Sequence, residues 1–486
     1  MSKLNKDILF LIFEELQDNS KFLFSCLMVN RIWCETVVPI LWRNPWRYAI
    51  NYYEKKSLYS IVSSYLSNDI KESLTRKGVK ITGQSLVFDY LTFCKSINVR
   101  TIDAIISIGS SSEYNQFLLQ EEIYSLLIKK CPEIMYLNIC DTYEIVYLPE
   151  AKVRLESLCE LTVDTLIDSR YFYRLAHICQ QIQRIIIINK NLKANHGTAK
   201  LIEFQNNLKY FKWIDEFVED YDYFDWEQLE DSYTDTFNLL KKHVNTLNHL
   251  EISLQYDHDD LIAYDYSFLQ YTLLELHNLK ILKINSHLFL NDNDFNEKLE
   301  MMAYRDLKIL EIEFADIYQV TCMVKYSLCL RELRINDYDW NYDNYDHDIL
   351  NFFRTICENY FLIEYLSIPM FFENHYIEFE KLLKKCQKLR SLYFKDTYCD
   401  EESEFKYGDY LLNVLVMEAS TNLREIGIPY DVKLSLETLE KFFEEWKGRP
   451  AVSINLGDIC FYRDNNSYME LFNKYKIEGV IKNINV

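Results

Sequence analysis

The chain has 486 residues, too many for one simple core, and only 9 Gly and 7 Pro, which excludes long flexible linkers and low-complexity tracts. Lys and Arg total 53 against 74 Asp and Glu, a formal net charge of −21, which argues against general binding of nucleic-acid backbones and permits attraction to a basic partner. Charges interrupt the apolar N-terminal stretch, no run of about 18 apolar residues exists, and the 13 cysteines include no CxxC pair; the expectation is no secretory signal, no membrane span or membrane partner, and free thiols in a reducing compartment, cytoplasmic and/or nuclear.

The first element expected is a short amphipathic helix within residues 3–16, where Leu4, Ile8, Ile12 and Leu16 recur every four positions with Leu9 and Phe13 beside them. Asn5 suits its N-cap, and Asp7 places negative charge in its first turn. A second run, residues 20–29, sets Phe22, Cys26 and Val29 on one side. Asn30 can cap a third helix carrying Trp33 and Val37, which Pro39 is expected to end before Leu41 and Trp42. Three such helices make a poor core alone, so part of their apolar surface must meet either the rest of the chain, as a cap, or a partner.

These residues resemble the F-box. That motif opens on Leu-Pro, ends its first helix in Ile-Phe-x-x-Leu, and continues through Val-Cys/Asn-Arg/Lys-x-Trp to a closing Leu-Trp. Here the matching residues are Leu4-Asn5, Ile12-Phe13-Glu14-Glu15-Leu16, Val29-Asn30-Arg31-Ile32-Trp33 and Leu41-Trp42, in order and at the right spacing over about 40 residues. Asn5 stands where the family has Pro; it caps the helix by a side-chain bond but lacks the ring that contacts the partner. The resemblance implies docking on the ligase subunit Skp1 through Leu4, Ile8, Leu9, Ile12, Phe13 and Leu16, with Cys26, Val29, Trp33 and Trp42 holding the module together while partly exposed to Skp1.

Residues 47–115 mix Tyr-rich helical runs with a less regular stretch around Gly78 and Gly83, and residues 85–97 suit a buried helix or a strand-to-helix piece. This segment reads as a helical connector. From residue 116 a pattern recurs, apolar-x-x-apolar-x-apolar. Its copies are Ile134/Leu137/Ile139, Leu158/Leu161/Val163, Ile182/Ile185/Ile187, Leu208/Phe211/Trp213, Leu247/Leu250/Ile252, Leu279/Leu282/Ile284, Leu307/Leu310/Ile312, Leu330/Leu333/Ile335, Ile363/Leu366/Ile368, Leu389/Leu392/Phe394 and Leu423/Ile426/Ile428, with Val452–Leu456 as a final degenerate copy. Most intervals between copies fall at 23–34 residues, and runs of helical period precede several of them. One strand and one helix cannot close a core, so stacking is required, and the units resemble leucine-rich repeats of the cysteine-containing kind often joined to F-boxes. An ordinary α/β domain with parallel strands is the alternative.

Three stretches combine carboxylates with aromatics. Residues 215–235 hold ten Asp or Glu and no Lys or Arg, including Asp220, Tyr221, Asp222, Tyr223 and Trp226. Residues 256–266 include Asp257 and Asp259, and residues 337–348 include Tyr338, Asp339, Trp340 and Tyr342. All three sit at or just after a repeat strand, where they suit recognition of a basic segment or serve simply as solvated loops. None has the spacing of a calcium loop, and His258 and His347 stand singly within them. No GxSxG, phosphate loop or HExxH occurs, so no catalytic residue, metal or cofactor is expected.

The expected fold is α/β: a three-helix F-box at residues 1–46, a helical connector at 47–115, and a leucine-rich-repeat solenoid of about 11–12 units at 116–486, with a parallel sheet on one face and helices on the other. The expected role is a non-catalytic adaptor between a Skp1-like subunit and a protein substrate. A repeat scaffold whose N-terminal helices only cap the solenoid is the rival.

Overall fold

The computed structural model describes residues 5–48, 52–140, 145–191, 193–217, 231–255, 267–285, 293–313, 316–336, 345–359, 362–369, 371–395 and 404–486. The chain forms two units, Met1–His243 and Val244–Val486.

The first unit opens with α1 (Lys6–Glu15), α2 (Ser20–Leu27) and α3 (Arg31–Arg43), followed by α4 (Tyr52–Ser64) and α5 (Asn68–Arg76). Strands and helices then alternate: β1 (Ser96–Asn98), α6 (Val99–Ile106), α7 (Glu113–Lys130), β2 (Tyr136–Ile139), α8 (Ala151–Leu155), β3 (Glu160–Asp164), α9 (Ser169–Ile178), β4 (Arg184–Asn189), α10 (His196–Glu203), β5 (Tyr210–Asp215) and α11 (Thr234–Leu240). Each strand from β1 to β5 pairs in parallel with the next.

The second unit continues the alternation with β6 (His249–Ser253), α12 (Ser267–Glu275), β7 (Ile281–Asn285), α13 (Asn293–Glu300), β8 (Ile309–Glu313), α14 (Ile317–Val324), β9 (Glu332–Asn336), α15 (Tyr345–Asn359) and β10 (Tyr365–Ile368). It ends with α16 (Tyr376–Lys385), β11 (Ser391–Phe394), α17 (Glu404–Glu418), β12 (Glu425–Ile428), α18 (Leu436–Trp446), β13 (Val452–Leu456), α19 (Ile459–Arg463), α20 (Asn466–Ile477) and β14 (Ile481–Ile484). Strands β6 to β14 again pair in sequence order, all parallel.

The pairing register explains the repeat. The middle anchors form ladders, Leu137–Leu161–Ile185–Phe211 in the first unit and Leu250–Leu282–Leu310–Leu333–Leu366–Leu392–Ile426–Ile454 in the second. Because side chains alternate across a strand, the third anchor shares the buried face, and the residues between face the other way, half-buried. The first anchor of every copy, from Ile134 to Leu423, is buried in the turn ahead of its strand. Each parallel pairing needs a crossover, and the helices supply it. Both units are therefore leucine-rich-repeat-like stacks, and the second and third anchors of all eleven copies, with Val452–Leu456, fall on strands.

Three expectations need correction. Pro39 lies inside α3 rather than at its end. The lost backbone bond is offset by burial of Val37, Val38, Ile40 and Leu41 on the same helix. The sheet also starts earlier than residue 116, because β1 pairs with β2 in register Ile97↔Leu137. Of the two forms expected for residues 85–97, the strand-to-helix piece fits: a 3-10 turn, Tyr90–Thr92, precedes β1, which leads directly into α6. At the other end β14 adds a strand that the apolar pattern does not mark, since only its first residue is buried.

Candidate protein-docking site on the N-terminal helices

Helices α1 to α3 fold around one small core of Leu9, Phe13, Leu23, Val37, Ile40 and Leu41, with Leu16, Cys26, Trp33 and Trp42 packed against it. Phe13 meets Trp33 edge to face at 5.1 Å between ring centroids, a favoured aromatic geometry. All three helices are capped by asparagine: the side chains of Asn5, Asn19 and Asn30 accept from the backbone N–H groups of Asp7, Phe22 and Trp33. The cap expected of Asn5 is thus present, at 3.5 Å, and that of Asn30 is tighter, at 3.0 Å.

What the core leaves outside is unusual. On α1, Ile8, Leu11 and Ile12 are exposed by 48%, 64% and 44%. They stand at i, i+3 and i+4, so they share one helix face. Phe10, Phe22, Phe24, Met28, Val29 and Ile32 are exposed on the same module. Nine large apolar side chains are therefore open within 25 residues, whereas the whole second unit exposes eleven among its described residues. Scattered apolar residues need no explanation, but such a concentration marks an interaction surface.

The predicted site residues therefore divide. Ile8 and Ile12 lie on the open face, and Leu16 is half-buried at its edge. Leu9 and Phe13, expected among the docking contacts, instead belong to the core, because a helix this short must commit one face to α3. Val29, expected in the core, is exposed just past the end of α2, while Cys26, Trp33 and Trp42 do pack against the core. Leu4 lies outside the described residues, as do Asp220, Tyr221, Asp222, Tyr223, Trp226, Asp257, Asp259, Tyr338, Asp339, Trp340 and Tyr342. The sequence does carry a sign of the residues missed. Residues 8–13, Ile-Leu-Phe-Leu-Ile-Phe, are apolar without a break, so the helix is greasy on more than one side and a single small core cannot cover it.

The module is fastened to the sheet behind it. The Trp46 indole donates to the carbonyl of Ser96 at 2.9 Å, the Ser96 hydroxyl donates to Asn44 at 3.0 Å, and the Lys95 N–H donates to the Arg43 carbonyl at 2.9 Å. Trp42 packs on Tyr90 with 4.6 Å between ring centroids. Two ion pairs brace the module itself, Arg43 with Glu14 at 2.5 Å and Arg47 with Asp18. A polar cavity of about 360 Å³ lies beside them, lined by Gln17, Arg43 and Arg47 from the module and by Tyr136 and Glu160 from β2 and β3. Both arginines are already held by acidic partners, so the cavity offers no bare cation.

The cysteines at helix ends are structural. Cys179 and Cys386 follow α9 and α16, and burial pushes both thiols up to about 12, which leaves little thiolate for chemistry. Among the described residues no group of three or more His, Cys, Asp or Glu could hold a metal ion, and no helix is long and apolar enough to cross a membrane.

No protein-family model matches the chain, and no curated protein is significantly similar to it in sequence. Among solved structures it is similar to the crystal structure of the yeast Rad7 and Elc1 complex, at 15% identity over 67% of this chain and 76% of that chain, with a TM-score of 0.41.

Proposed function

We propose that this chain is a non-catalytic substrate-recognition adaptor of a ubiquitin ligase. Its N-terminal helices form an F-box that docks on a Skp1-like subunit of a cullin–RING assembly, and its repeats hold a target protein. The observation that carries this reading is the open face of Ile8, Leu11 and Ile12 on a helix whose other side, Leu9 and Phe13, is already committed to the core. A cap on the solenoid would have used that face internally. The F-box-like order of residues from Leu4 to Trp42 gives the face its partner.

The work of such a protein is geometric. Ubiquitin transfer is carried out by partner subunits, and the adaptor contributes proximity and orientation. That contribution falls if the joint between docking module and repeats is slack. The bonds from Arg43, Asn44 and Trp46 to β1 and its approach keep this joint stiff.

The test is a pull-down of the full chain with purified Skp1, beside the variant Ile8→Asp with Ile12→Asp. Capture of the parent and loss of the variant supports the adaptor. A folded parent that is not captured refutes it.

A further inference from the structure

The half-buried face of the second unit's sheet carries an ordered row of side chains. Lys283 on β7 pairs with Glu311 on β8 at 3.1 Å. Arg334 on β9 pairs with Glu332 at 3.0 Å, and its guanidinium carbon sits 3.7 Å from the ring centroid of Tyr365 on β10. Tyr365 stacks in turn on Tyr393 of β11, 5.2 Å away and tilted by 20°. The row continues onto β12, because the Tyr393 ring lies against Gly427 so closely that a Cβ there would come within 2.2 Å of it. The Tyr393 hydroxyl accepts from Asn455 on β13 at 2.8 Å, and Glu425 accepts from Ser391 at 2.9 Å. The rings are thus fixed by neighbours on both sides.

Carboxylates outnumber cations around these rings. Burial raises the Tyr365 phenol, Arg334 opposes that, and Glu425, Glu311 and Glu332 add to it; Lys395, two residues past Tyr393, is a second cation. Arg334 is itself committed to Glu332 and to the ring. The edges of two aligned aryl rings flanked by carboxylates complement a basic side chain with an apolar stem, and they repel an acidic segment. Tyr is also among the side chains that dominate binding energy when held rigidly, as here.

We propose that this face, centred on Tyr365 and Tyr393, is the docking surface for a Lys- or Arg-bearing segment of the partner protein. Both ring faces are taken, so the apolar stem of the basic side chain packs on the open ring edges while its charged head meets Glu332 and Glu425. The identification of that partner as a ligase substrate rests on the adaptor reading; the docking surface itself does not.

The experiment measures fluorescence anisotropy of the full chain with labelled peptides that alternate Ser with Arg, Lys or Glu. The Arg peptide is expected to bind with an affinity that weakens as salt rises, and the Glu peptide is expected not to bind. Glu332→Gln with Glu425→Gln should weaken the Arg peptide by about tenfold or more, as should Tyr365→Leu. The same charge change on helices, Glu437→Gln with Glu470→Gln, should leave it within about twofold. Equal loss in both charge pairs, equal binding of the Glu peptide, or no binding of the Arg peptide to a chain with its normal melting curve overturns the proposal. The Ile8→Asp, Ile12→Asp variant should still bind the Arg peptide. A parent that binds the peptide but not Skp1 would sink the adaptor reading alone, and the converse would sink this one alone.

Discussion

Trp46 donates its indole N–H to the main-chain carbonyl of Ser96, 50 positions along the chain, and both residues are buried. That bond joins the last residues of the helical module to the first strand of the repeat. Trp46→Phe keeps most of the ring but leaves the Ser96 carbonyl without this donor, so the first unit should lose about 1–3 kcal/mol. Urea denaturation measures the loss, and hydrogen exchange should show β1 amides opening sooner. Skp1 capture should persist, because the open face of α1 is untouched.

Neighbouring residues on α1 should respond in opposite ways. Ile12 is open, so Ile12→Asp should leave stability within about 0.5 kcal/mol of the parent while removing Skp1 capture. Phe13 is buried against Trp33, so Phe13→Asp places an unpaired carboxylate in the small core and should unfold the module. Far-UV circular dichroism melts of the two variants make the comparison. Similar destabilisation by both would mean the α1 face is not open.

The repeat ladder makes a similar contrast within one strand. Leu310 stands in register between Leu282 and Leu333 and is fully buried, so Leu310→Ala should cost about 2–5 kcal/mol. Ile309, beside it on the half-buried face, should cost less when changed to Ala. Equilibrium unfolding in urea separates them.

Gly427→Ala tests the aromatic row directly. The added methyl must displace the Tyr393 ring, which breaks the stack with Tyr365 and the bond to Asn455. Overpacking of this kind costs about 1–3 kcal/mol, seen as a lower melting midpoint. Affinity for the Arg peptide should fall with it.

Stability should decline in acid in two stages. Burial holds His243 below its ordinary 6.5, and burial does the same to His375 despite the nearby Asp346 carboxylate. A lowered folded value means that the unfolded chain takes the proton more readily. The contribution is complete above the unfolded value and is lost as the pH falls through the folded one. The first loss therefore begins below about 6.5. A second, of the same sign, begins below 4.5, where Glu203 is held down to about 2 by Lys200 and Lys242. Melting midpoints against pH should show the first stage clearly and the second only weakly, because solvent screens the exposed Glu203 pairs; His243→Gln with His375→Gln should flatten the first.

The repeat was legible because its physics is local and periodic: three apolar positions per unit suffice to mark a strand and its turn, and every such set from Ile134 to Ile428 lies where it should. The ends were not, because terminal strands have a neighbour on one side only and need fewer anchors. Ile97 is the lone buried apolar residue of β1, and β14 buries only Ile481. On α1 the sequence shows six consecutive apolar residues, but only folding decides which of them α3 claims; Leu9 and Phe13 were claimed, and Ile8, Leu11 and Ile12 were left. The row through Arg334, Tyr365 and Tyr393 was hidden for a different reason. Its members lie 28–31 residues apart in the chain and meet only through strand register.

Nearest-neighbour pairing in chain order has one more effect. Within the second unit each strand advances the stack by about 4.8 Å, and no strand between β6 and β14 bonds to any but its sequence neighbours. Length is therefore a tunable dimension. Excision or duplication of a whole strand-helix period, cut at equivalent ladder positions such as Leu282 and Leu310, leaves every remaining pairing of the same kind. Insertions smaller than a period have to be carried by the turns. The second unit is in that sense a spacer graduated in single repeats, whose reach can change by a fixed step without redesign of either of its ends.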